Sequence, residues 1–77
     1  MARYFFDTFD GERLVRDEIG IELADLARVR VEAIEALPDI AREELPDGDQ
    51  RLIAVQARDE ADRIVFKASL HFEAQWC

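Results

Sequence analysis

The sequence predicts an α+β domain in ββαββ order, with a four-stranded antiparallel sheet and one long, Pro-kinked helix packed on one face. Three observations predict it. Residues 51–58 and 63–72 alternate apolar and polar side chains with period two, so each run presents one dry face and one wet face. Residues 25–45 carry apolar side chains at three- and four-residue spacing, the period of an amphipathic helix. An Asp10-Gly11 pair separates an aromatic N-terminal run from a short return segment, the pattern of a hairpin. With 77 residues the chain forms a single domain, residues 1–77, near the size where one core becomes marginal.

The first strand, residues 3–9, places Tyr4, Phe5, Phe6 and Phe9 on a pleated surface that suits aromatic side chains. Alternation turns Tyr4 and Phe6 one way, Phe5 and Phe9 the other. The return strand spans residues 12–16, with Leu14 as its inward residue. Asp17-Glu18-Ile19-Gly20 is a second turn, leading through Ile21, Glu22 and Leu23 to the helix. Asp25 is the expected N-cap, without a capping box because Arg28 stands where Glu or Gln would be needed. The apolar stripe of the helix comprises Leu26, Ala27, Ala33, Ile34, Leu37, Ile40, Ala41 and Leu45. Pro38 interrupts it. A proline inside a helix costs roughly 3 kcal/mol unless the helix bends, and the first position of a second helix would accept it. The stripe continues past Pro38, which favours a kink over a split. Pro46-Asp47-Gly48-Asp49 closes the element. In residues 51–58 Ile53, Val55 and Ala57 share one face, with Gln56 and Arg58 on the other. A polar turn at residues 59–62 leads into residues 63–72. There Ile64, Phe66, Ala68, Leu70 and Phe72 oppose Lys67, Ser69 and His71.

Composition limits the function. Apolar residues make up 49% and charged ones 36%, which marks a globular chain. Eighteen acidic residues against ten basic ones give a net charge of −8. That field repels DNA phosphates and anionic membranes, so a cationic or neutral partner is expected. One cysteine cannot build a disulfide framework, and the N-terminus lacks an apolar leader, so the cytoplasm is the expected compartment. No apolar run reaches the roughly 18 residues of a membrane span.

RYFFD at residues 3–7, Asp10-Gly11, and Asp17-Glu18-Ile19-Gly20-Ile21-Glu22-Leu23 together resemble a family of short bacterial proteins known only as a domain of unknown function. That family begins RYFF-H/D, and continues with a DG turn, a D-x-x-G-x-E-L segment and a later V-x-D-x-x-G turn. Here the later turn reads Asp59-Glu60-Ala61-Asp62, with aspartate where the family has glycine. Ala24 stands where a proline often precedes the helix. The resemblance implies the fold and brings no activity with it.

The polar candidates are few. Asp7, Asp10 and Asp17 are the set to examine for a divalent cation, which prefers oxygen ligands, although their spacing matches no EF-hand. His71 has no second histidine or cysteine pair to build zinc or base chemistry around. Cys77 is terminal, with no cation or helix N-terminus beside it in sequence to activate the thiol. A single helix covers one sheet face only, which leaves one aromatic pair for a partner; Tyr4, Phe6 and Trp76 are the interaction candidates. The sequence therefore predicts a small non-enzymatic interaction module, without cofactor, pairing as a homodimer or with another protein through an edge strand or the uncovered aromatic face. The alternatives are a divalent-metal-dependent enzyme and an RNA-binding module; for RNA the basic groove is missing.

Overall fold

The computed structural model describes residues 1–44 and 48–77. It is an α+β fold of five antiparallel strands and one helix. The strands are β1 (Ala2–Phe9), β2 (Leu14–Val15), β3 (Ile21–Leu23), β4 (Gln50–Arg58) and β5 (Ile64–Glu73); the helix α1 spans Leu26–Glu44. The order across the sheet is β2-β1-β4-β5, and β3 also pairs with β1.

The expected four strands become five because the first hairpin is short. β2 pairs only Thr8 and Phe9, through Val15 and Leu14. The N-terminal end of β1 is then free for Ile21–Leu23, which pair with Ala2, Arg3 and Tyr4. A three-residue strand is too short to show a period of two. Leu14, expected to point inward, is exposed. It lies opposite Phe9 on the sheet face away from the helix.

Asp10 shapes the first turn as expected: its carboxylate accepts the N–H groups of Glu12 and Arg13, and Gly11 has a positive φ. The Asp25 carboxylate accepts the Arg28 N–H at 3.0 Å and caps α1. Helix α1 runs unbroken through Pro38, so the split reading falls. The expected end at Leu45, and the closing residues Pro46 and Asp47, lie outside the described residues.

The buried stripe of α1 is Val29, Ala33 and Leu37, spaced by four. Val29 was absent from the expected stripe, while Leu26, Ala27 and Ile34 are exposed. The helix is rolled so that Val29, Ala33 and Leu37 meet the sheet, where Ile53, Val55 and Ala57 of β4 are fully buried. Tyr4 and Phe6 pack into the same core, alongside Phe66 and Ala68. Tyr4 and Phe6 therefore stand under the helix and not on a partner face, which corrects their place among the interaction candidates. Phe5, Asp7 and Phe9 take the open face. No helix among the described residues is long and apolar enough to cross a membrane.

Candidate functional site

The register of β1 and β4 sets Phe5 opposite Arg58 and Asp7 opposite Gln56. Arg58 is thus the diagonal neighbour of Asp7 on the open face, within reach of a long side chain. Asp7 is 1% exposed and Arg58 6%. The guanidinium grips the carboxylate with two bonds, Nε to Oδ2 at 2.8 Å and Nη2 to Oδ1 at 3.1 Å. Gln56 Nε2 donates to Oδ2 at 2.9 Å, and the Asp17 N–H donates to Oδ1 at 2.9 Å. Both oxygens of Asp7 are doubly engaged.

Arg58 reaches further. Its Nη2 donates to the Asp17 carbonyl at 2.8 Å and its Nη1 to Asp62 Oδ1 at 2.7 Å, while its guanidinium lies 5.0 Å from the centre of the Phe5 ring. Asp62 also takes Arg16 at 2.9 Å. Asp62 has φ +68, the left-handed conformation that a glycine would adopt without cost; aspartate tolerates it better than most residues. One residue thus serves both as a turn and as an anion for two arginines.

Asp17 fills a gap in the ladder. Between its partners β2 and β3, β1 leaves the Phe6 N–H without a strand opposite. The Asp17 carboxylate accepts it at 3.0 Å, together with the N–H groups of Ile19 and Gly20. Arg3 holds the same loop through Nη1 to the Ile19 carbonyl at 2.8 Å.

These contacts set the ionisation. Burial pushes Asp7 up, but the bonds from Arg58, Gln56 and Asp17 outweigh it and hold the carboxyl at about 2. Burial likewise pushes Asp17 up, and the N–H groups of Phe6, Ile19 and Gly20 bring it below its ordinary value. Asp62 is lowered by Arg58 and then Arg16, Asp10 by the Arg13 and Glu12 N–H groups, and Asp59 by the Arg63 N–H. A carboxyl depressed on folding adds stability above its unfolded pKa and loses it as pH falls through the folded one. For Asp7 that window runs from 3.8 down to about 2. Thermal melts should therefore show the melting temperature falling steeply below about pH 4, with a shallower fall in Asp7→Asn; equal slopes would refute the assignment.

Of the three aspartates considered for a cation, Asp7 and Asp17 meet, whereas Asp10 stays in its own turn. A divalent ion at Asp7 would have to displace Arg58. Among the described residues no group of three or more His, Cys, Asp or Glu is placed to hold a metal ion. His71 and Cys77 are exposed, as is Trp76.

The open face also carries a shallow depression of about 280 Å³ between β1, β4 and β5, with Phe9, Leu14 and Ala54 on one side and Lys67 and Ser69 on the other. Beyond it lies the outer edge of β5, the last strand in the order, on which no strand among the described residues pairs. The Ala74 N–H donates to the Asp49 carbonyl, so alternation turns the backbone groups of Leu70 and Phe72 toward β4. Those of Lys67, Ser69, His71 and Glu73 point outward.

Sequence reading missed Arg58, Gln56 and Asp62. One clue was present: Asp7 shares a strand face with Phe5 and Phe9, and a carboxylate between two aromatic rings needs a cation once it is buried. No curated protein and no solved structure matches the chain. Residues 3–71, which include the whole Asp7–Arg58 network, match the family model described as a domain of unknown function, DUF6894, and the chain belongs to that family.

Proposed function

We propose that the protein is a small non-enzymatic interaction module that offers the β5 edge to another polypeptide, a second copy of itself first of all. The observation that carries this reading is the edge itself. β5 is ten residues long, and from Arg63 to Phe72 the sequence has no acidic residue although the chain carries −8 overall. Exposed edges are usually blunted by proline, bulges or repeated charge. Here the register shift between Ala57 and Arg58 leaves its extra residue, Val65, near the start of β5, and Lys67 is the one lysine on the strand. Phe66 to Phe72 then form an even edge on which main-chain hydrogen bonds can add a strand. The non-enzymatic part rests on the polar network, whose central carboxylate is saturated by donors and leaves no free base.

Amide hydrogen exchange read against protein concentration tests the proposal. The outward amides of Lys67, Ser69, His71 and Glu73 should gain protection as concentration rises. Ser69→Pro should abolish that gain and leave the circular dichroism intact, because the Ser69 N–H takes no part in the β4 ladder. Outward amides that exchange equally fast at every concentration, with a mass held at 8.9 kDa, would remove the proposal.

A further inference from the structure

Resting on the reading of β5 as the working edge, we infer that two copies join β5 to β5, antiparallel, about a two-fold axis at Leu70. A two-fold joint is self-complementary, so each contact occurs twice. The backbone groups that face outward belong to Lys67, Ser69, His71 and Glu73, so these residues must lie opposite one another in any ladder that forms. Every register with its axis on a residue satisfies this, so the side chains choose among them. With the axis at Leu70, Lys67 lies opposite Glu73 of the second copy at both ends, Ser69 lies opposite His71, and Ala68 lies opposite Phe72. With the axis at Ser69, Lys67 meets His71 and Glu73 meets Val65. With the axis at His71, Glu73 meets Ser69 and Lys67 meets Gln75. Only the Leu70 axis pairs the strand's two opposite charges directly, which cross-strand energetics reward.

The side chains agree with this register. Leu70 lies opposite Ile53 and therefore on the helix side of the sheet, yet it is 42% exposed. On α1, Arg30 lies over the Phe66 ring of β5, so Ile34, one turn on, is on the same flank; it is 40% exposed. Pairing at Leu70 buries that leucine against its copy beneath the two Ile34 residues, forming a small apolar joint between the helices. On the other face the two depressions lined by Lys67 and Ser69 flank the seam. Residues 63–72 carry no acidic residue, so apart from Glu73, which faces Lys67, the copies meet along a stretch free of the chain's excess negative charge.

The test is a disulfide of defined register. At the axis the two Leu70 residues form a non-hydrogen-bonded pair, with Cα atoms about 4.5 Å apart, inside the roughly 4.4–6.8 Å range for a disulfide. In a Cys77→Ser background, Leu70→Cys should cross-link into a covalent dimer under mild oxidation. Ser69→Cys should not, because the two copies of residue 69 are then displaced diagonally along the strands. Independently, Lys67→Glu should weaken association roughly tenfold by setting like charges opposite at both ends, and Lys67→Glu/Glu73→Lys should restore it. Protected edge amides without Leu70→Cys cross-linking or charge-swap rescue would overturn this register and leave the edge reading standing. Unprotected edge amides and a monomeric mass would overturn both.

Discussion

Asp7→Ala is expected to cost about 3–5 kcal/mol, because it leaves the Arg58 guanidinium buried without its counter-charge. Domains have a total stability of about 5–15 kcal/mol, and one of this size stands near the lower end. The variant is thus expected at the limit of folding, with a urea midpoint shifted far below that of the wild type. Arg58 would keep the Asp17 carbonyl and Asp62 as acceptors, but two of its bonds and its one fully buried partner are gone. Replacing both partners by apolar residues of similar volume, Asp7→Leu with Arg58→Met, should recover a large part of the loss, since an apolar pair needs no counter-charge. The recovery will be incomplete because the Asp17 N–H and the Gln56 amide lose their acceptor. If denaturation curves show Asp7→Ala within 1 kcal/mol of wild type, roughly the worth of an exposed pair, then the pair is not a buried clamp.

Gly20→Ala is the second large effect. Gly20 has φ +74, and a Cβ there would lie 2.9 Å from both Arg3 Cγ and the Phe5 ring. The left-handed backbone costs an alanine roughly 1–2 kcal/mol. The Arg3 side chain can move aside, but the Phe5 ring is held under the Arg58 guanidinium, and forcing it adds roughly 1–3 kcal/mol of overpacking. Gly48→Ala separates the two contributions, since Gly48 also has a positive φ but, among the described residues other than its chain neighbours, none has an atom within 4 Å of the added carbon. Urea titrations should place Gly20→Ala well below Gly48→Ala; equal midpoints would mean that the ring gives way freely. The glycine of the D-x-x-G-x-E-L segment thus owes its place to the close approach of Phe5 as well as to its backbone.

The sequence carried the local features, because their physics is local. Asp25 caps the helix and Asp10-Gly11 turns the first hairpin through bonds that span two or three residues. Period two in residues 51–58 selected the face of β4 that is buried. The acid-free stretch along β5 was also there to read. β3 escaped notice because three residues show no period, and because its partner is vacated only when β2 proves short.

Other features depend on contacts that no window of sequence spans. Tyr4 with Phe6 and Phe5 with Phe9 are both aromatic pairs, and hydrophobicity alone would favour the Phe5/Phe9 face, the one the helix does not cover. Asp7 decides against that face: a helix over it would bury the carboxylate under apolar side chains, whereas the open face lets Arg58, Gln56 and the Asp17 loop enclose it. Arg58 is 51 residues away from Asp7 and meets it only through the β1–β4 register. The chain thus specified its helix, its turns and its strand periodicity from neighbouring residues. The assembled sheet settled which aromatic face is core, which charges are buried and which strand stands last in the order, because each of those depends on which strands lie side by side.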